Sequence, residues 1–157
     1  MRVSDDIMYA LASVFTATPR KQLHITDVLN CLRMSFYQRQ KVLPTNVQML
    51  IGTATHRQFQ SVLNAKYVEH EYTLQIDGMR IVGHPDIITR DDHVIELKHI
   101  STFYLLRKYT DNMPIPRHID QVLLYLLMSG CKFAYIVYVS LNEGFRVFKI
   151  RLSLIHI

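Results

Sequence analysis

Apolar residues recur every three or four positions in the first part of the chain and in short runs in the second, so helices should precede strands. From Ser4 to about Phe15, Ile7, Met8, Leu11, Ala12 and Phe15 mark one helical face, with acids in the first turn. Thr16–Gln22 is a polar, proline-containing link. A second helix is expected from Thr26, as N-cap with Asp27 following, to about Arg39 through Val28, Leu29, Leu32 and Phe36. Lys41–Pro44 connects to a third, longer helix that Thr45 or Asn46 can cap and that continues to about Lys66. Its apolar stripe is Val47, Leu50, Ile51, Ala54, Phe59, Val62 and Leu63.

The pattern changes at Val68. Glu69–Ile76 and Met79–Val82 read as strands around the hairpin turn Asp77-Gly78. Within Gly83–Lys98, Ile87–Thr89 and Val94–Leu97 form another hairpin around Arg90-Asp91-Asp92-His93, giving a meander of about four strands. Thr102–Tyr109 is a short helical stretch and Thr110–Pro116 a loop. Ile119 to about Met128 is helical and stops at Ser129-Gly130. Phe133–Leu141 and Phe145–Leu152 pair around Asn142-Glu143-Gly144. With no internal repeat, low-complexity tract or linker, these elements predict one domain over 1–157, helices in 1–66 and a core in 67–157. The fold class is mixed α/β, a central mixed β-sheet flanked by α-helices.

One hairpin breaks the rules of its own element. Acidic residues are unwelcome in strands, yet Asp86 opens the first strand and Glu96 and Lys98 sit in or just after the second. Side chains alternate across a strand, so Glu96 and Lys98 share a face, and an odd-numbered turn would bring Asp86 to it as well. Two carboxylates held together suit a hard divalent cation such as Mg²⁺ or Mn²⁺. A neighbouring lysine could hold an activated water or offset charge building on a phosphate. The competing reading is a surface hairpin with a solvated charge cluster, and this motif alone does not separate the two.

Composition narrows the class without naming a function. An apolar fraction of 49% and a charged fraction of 20% are those of an ordinary globular protein. No apolar run approaches the roughly 20 residues of a membrane helix, so no membrane partner is expected. Acids at Asp5 and Asp6 stand where a signal peptide is basic, which points to the cytoplasm, or to a host's cytoplasm for a viral protein. The net charge of +5 permits a polyanionic partner but does not require one, because the Lys and Arg residues are scattered. Cys31 and Cys131 are the only cysteines, too few for a disulfide framework or a four-cysteine cluster, and each reads as a small buried hydrophobe.

Further residues can join the acidic hairpin. His56 follows Gly52 by one turn on the same helical face, although a lone helical histidine is more often a surface or satisfied core residue. His118, Gln121 and Tyr125 share another helical face, where the plain reading is an amphipathic helix with Tyr125 in the core. Taken in order, His56, Pro85-Asp86, Glu96-Leu97-Lys98 and the Gln121…Tyr125 pair resemble the PD-(D/E)xK nuclease signature in its RecB-like form. The likeness extends from about Ile25 to Leu141 and is closest in flavour to CRISPR-associated exonucleases and their stand-alone relatives, including viral ones. The Ile25–Arg33 segment is similar to the N-terminal helix on which many members carry a first cluster cysteine. Iron–sulfur members carry three more near the C-terminus, where this chain has Leu154-Ile155-His156-Ile157, so no iron–sulfur cluster is expected.

That resemblance implies a restriction-endonuclease-like fold and a Mg²⁺- or Mn²⁺-dependent DNA nuclease, an exonuclease leaving 5′-phosphates on single- or double-stranded DNA. It implies metal ligation by His56, Asp86, Glu96 and the Leu97 backbone carbonyl, with Lys98 steadying the reacting charge. Gln121 would orient the lysine or a phosphate, and Tyr125 a backbone oxygen or base. Glu71 is a candidate partner of these ligands, or simply a solvent-facing strand residue. Two other classes stay open: a catalytically inactive nucleic-acid-binding module of the same fold, and a structural or interaction domain with a coincidental motif.

Overall fold

The computed structural model describes residues 16–17, 22–40, 43–44 and 47–151. The helix expected over Ser4–Phe15, the Thr45 or Asn46 cap and the final strand residue Leu152 lie outside the described residues. In chain order the elements are β1 (Thr16–Ala17), β2 (Leu23–His24), α1 (Ile25–Leu29), α2 (Leu32–Gln40), β3 (Leu43–Pro44), α3 (Val47–Val62), β4 (Ala65–Val68), β5 (Tyr72–Ile76), β6 (Met79–Gly83), β7 (Ile87–Thr89), β8 (His93–His99), α4 (Tyr104–Thr110), α5 (Pro116–Ser129), β9 (Phe133–Ser140) and β10 (Gly144–Arg151).

The expected second helix is two. His24, not Thr26, precedes its first turn, and the His24 backbone N–H donates to Asp27 Oδ2 at 2.9 Å. At Asn30 the backbone turns extended, which ends α1, and α2 begins two residues later. Ser35 Oγ, donating to the Asp27 carbonyl at 3.1 Å, ties the second piece back to the first. The third helix also ends early, at Val62. The chain up to Val68 is claimed by strand pairing, Tyr67 opposite Ile88 and Val68 opposite Ile87. Long-range partners override local helical spacing here. Cys131 is buried as expected, but Cys31 is exposed at the junction between α1 and α2.

The strands form two mixed sheets rather than one meander. The larger has five strands in the order β10-β9-β8-β7-β4, with only the β8–β9 pair parallel and α4 and α5 crossing between those two. The smaller has the order β2-β6-β5, with β2 and β6 parallel. β6 and β7 follow one another but do not pair. Between them His84-Pro85-Asp86 carries the chain from one sheet to the other, and Pro85 has no N–H to continue a ladder. The expected Asp77-Gly78 turn is present, both residues at positive φ. A further two-stranded pairing joins β1 and β3.

Apolar clusters pack on both faces of the central strands of the larger sheet, while its edge strands β10 and β4 stay largely exposed. Alternation along β8 sends Val94 toward α5, where it joins Ile88, Ala134, Ile136 and Tyr138 against Val122, Tyr125 and Leu126. The opposite face presents Ile87, Leu97 and Val137 to Phe59 and Leu63 at the α3 end. Each such buried aliphatic side chain contributes about 1.5–3 kcal/mol. Glu96 and Lys98 follow Val94 on the α5 side, so the strand that builds the core also projects charge into it.

Candidate active site

Asp86 and Glu96 meet because the β7–β8 register brings them together. Ile87 pairs with Ile95 and Ile88 with Val94, so one further step sets Asp86 beside Glu96. Both are buried, Asp86 at 8% and Glu96 at 3% exposure. The Leu97 N–H donates to Asp86 Oδ2 at 2.7 Å, fixing that carboxylate across the strands. The Asp86 carbonyl accepts the Glu69 N–H at 3.2 Å and Gln60 Nε2 at 3.4 Å, and Gln60 Nε2 also reaches Glu69 Oε1 at 3.1 Å. Glu69 has φ of 47°, a strained value for a residue with a Cβ, held by these contacts at the rim of the site.

On the α5 side, Glu96 Oε1 accepts from Lys98 Nζ at 2.7 Å and from Gln121 Nε2 at 2.8 Å. Lys98 Nζ also donates to Gln121 Oε1 at 2.9 Å, closing a three-residue ring. Gln121 Nε2 reaches Tyr125 Oη, one turn along α5, at 3.0 Å. Burial, then the charge of Glu96, holds the Tyr125 phenol well above its ordinary range, so it stays neutral. One turn before Gln121, His118 Nδ1 lies 2.8 Å from Tyr138 Oη, which accepts the Ile115 N–H at 3.0 Å. Burial, then Lys98 and Arg117, push the His118 imidazole down to about 3.

From α3, His56 Nδ1 stands 3.2 Å from Asp86 Oδ1. Burial alone would lower the His56 pKa, but the hydrogen bond and charge of Asp86, with the charge of Glu96, outweigh it and raise the net value. Glu96 is pushed up to about 7, first by burial and then by Asp86, with Lys98 opposing. The six side chains His56, Asp86, Glu96, Lys98, Gln121 and Tyr125 therefore converge from α3, the connection just before β7, β8 and α5. Glu71 does not join them. It pairs with Arg80 at 3.0 Å and His84 at 3.5 Å and faces solvent. Gln60 and His99 carried no sequence signal, because each gains meaning only from what lies across the fold.

Glu96 Oε2 and His99 Nε2 are the buried side-chain polar atoms without a hydrogen-bond partner among the described residues. The bare Glu96 oxygen beside a second carboxylate fits a hard divalent cation, which would take the uncompensated lone pairs and cancel the like-charge repulsion. Among the described residues no three His, Cys, Asp or Glu side chains form a ready-made cage. His56 spends its Nδ1 on Asp86 Oδ1, which leaves Nε2 as the ring nitrogen that could join such a cation without breaking that contact. Leu97 meets the site through its N–H.

No protein-family model matches the chain, and no curated protein sequence does. Solved structures do. SSO0001 is similar over 98% of this chain and 79% of its own, with 18% identity and a TM-score of 0.66. The alkaline exonuclease LHK-Exo from Laribacter hongkongensis is similar over 84% of this chain and 78% of its own, with 16% identity and a TM-score of 0.57. Its complex with dAMP gives 18% identity and 0.60 over the same shares. At such identities the likeness is one of fold, and the fold is the mixed α/β, restriction-endonuclease-like nuclease fold.

Proposed function

We propose that the chain is a divalent-metal-dependent DNA nuclease of the RecB-like PD-(D/E)xK type, one domain acting as an exonuclease and leaving 5′-phosphates. The observation that carries this reading is the buried Asp86–Glu96 pair with one bare Glu96 oxygen, beside a lysine held by Gln121. Fold likeness to an alkaline exonuclease supports it. Asp86 and Glu96 are the residues that would hold Mg²⁺ or Mn²⁺, with the Leu97 carbonyl and His56 completing the set. When bound, the cation supplies Lewis acidity at the scissile phosphate.

The rest belongs to the chain. Lys98 presents its ammonium at a fixed point because Glu96 and Gln121 hold two of its donors, leaving the third for a phosphate oxygen or the attacking water. Gln121 orients Lys98 and Glu96 together, and Tyr125 fixes the Gln121 amide. Glu69 and Gln60 brace Asp86 from behind through its backbone carbonyl.

The test is cleavage of single- and double-stranded DNA, labelled separately at each end, in Mn²⁺ or EDTA, with Glu96→Gln alongside. Metal-dependent cutting that the variant lacks is expected. DNA shifted on a gel but never cut would leave an inactive binding module of the same fold.

A further inference from the structure

The hydroxyl of Tyr138 decides the state of a histidine. Tyr138 is fully buried, and its Oη accepts the Ile115 N–H at 3.0 Å. Burial pushes the phenol up to about 12, so the hydroxyl keeps its own hydrogen. Among the described residues the partner left for that hydrogen is His118 Nδ1, 2.8 Å away. Nδ1 therefore accepts, and the proton of the neutral ring stands on Nε2. The fold, rather than solvent, sets the tautomer.

His118 Nε2 has no partner among the described residues, yet it is not sealed in as Glu96 Oε2 and His99 Nε2 are. His118 lines a cavity of about 180 Å³ between α1 and the first turns of α5, with Thr26, Asn30, Lys98 and Arg117. No acidic side chain lines it. Two cations and a neutral N–H donor without a carboxylate suit an anion that accepts hydrogen bonds. The volume falls below the roughly 300–1,000 Å³ of a pocket that encloses a drug-sized ligand, and matches a phosphate group better than a nucleoside. Burial, then Lys98 and Arg117, keep the ring from taking a second proton. It therefore adds direction to the cavity without adding a third positive charge.

Resting on the nuclease reading, we propose that His118 is a phosphate-binding residue whose Nε2–H, aimed by Tyr138, donates to the phosphodiester next to the scissile one, with Arg117 beside it. Glu96 and Gln121 hold two donors of Lys98, and the third serves the scissile phosphate. The next anion along the same strand then falls in the cavity on the α1 side of Lys98. Tyr138 acts through His118 as a positioning residue, and the contact reads backbone rather than sequence.

The experiment moves one uncharged methylphosphonate through the linkages of a ten-residue dT oligonucleotide without terminal phosphates, and reads kcat and KM of metal-dependent cleavage. In the wild type, one linkage beside the cut bond is expected to raise KM about tenfold when neutral, the size of one hydrogen bond to a charged acceptor. His118→Phe is expected to raise KM as much on the unmodified oligonucleotide and to show no further rise at that linkage. His118→Gln, whose amide can accept from Tyr138 and still donate, should recover most of the loss. A merely structural role would leave the rise at that linkage intact. Arg117→Ala alters an exposed residue of the same cavity, so it serves should the Phe variant unfold, and it should shrink the same rise. A flat walk in the wild type, a rise that survives in full in the folded variants, or a KM that answers only to an added terminal phosphate would overturn the contact and leave the nuclease reading intact. Absence of metal-dependent cleavage in the wild type overturns both.

Discussion

Glu96 carries a charge that its surroundings resist, through burial and then through Asp86, with Lys98 and His56 opposing them. Its carboxyl is raised above the unfolded value, so its stabilising contribution is full below about pH 4.5 and is lost as pH rises through about 7. In EDTA at pH 8, Glu96→Gln should therefore melt above the wild type, by something on the order of 1–3 kcal/mol. Saturating Mn²⁺ should reverse that order, since only the wild type gains binding energy by mass action. Scanning calorimetry on the four samples checks this, and identical melting temperatures would count against a metal at Glu96. His118 has the opposite sign. Its pKa is depressed to about 3, so the unfolded chain takes up a proton that the folded chain refuses. Stability is complete above about pH 6.5 and falls by about 1.4 kcal/mol per unit on the way to about pH 3. His118→Gln, which can still accept from Tyr138, should lose about 2 kcal/mol less than the wild type between pH 7 and pH 5. Urea midpoints at the two values decide it.

At the level of elements, one tight joint is where β6 leaves its sheet. A Cβ on Gly83 would come within 2.5 Å of Ile25 Cδ1 and 2.9 Å of Tyr125 Cε1. The Ile25 methyl can swing aside, but the Tyr125 ring is packed under α5 and holds Gln121. Gly83→Ala should thus cost about 1–3 kcal/mol and lower kcat more than KM, since it disturbs Lys98 without touching a binding surface. A wild-type urea midpoint with wild-type kinetics would show that the joint relaxes freely.

The same joint marks where local pattern stopped being informative. Spacing alone located α5 and its αL stop at Gly130, the β9–β10 pair and the β5–β6 turn, because each is decided within its own residues. The change of sheet at Pro85, the break at Asn30 and the early end of α3 depend on partners 20 or more residues away or on a single turned backbone. The site divides the same way. Asp86, Glu96 and Lys98 were legible as charges misplaced in a strand, whereas Gln60 is an ordinary exposed-type helix residue until β7 lies beside it.

Across the whole molecule, α3 and α5 pack on opposite faces of the larger sheet, and two cavities, one lined by Arg117 and His118 and one by Gly52 and His56, meet at Lys98 near the end of β8. On the nuclease reading, a strand held at Lys98 would pass Arg117 in the first of these. The net charge of +5 says nothing about that path, because a scattered excess attracts a polyanion to every face equally. A salt titration does. For single-stranded DNA in EDTA, the slope of log K against log salt is about −0.7 for each phosphate neutralised. Arg117→Ala should make the slope shallower by about 0.7 and weaken binding alike for every sequence. Lys149 serves as the control: its Nζ sits 4.3 Å over the Phe133 ring, on the outer strands of the sheet. Lys149→Ala should leave the slope unchanged. If the Lys149 variant lost slope and the Arg117 variant did not, the strand would run along β9 and β10, and the cationic cavity beside Lys98 would have no part in binding it.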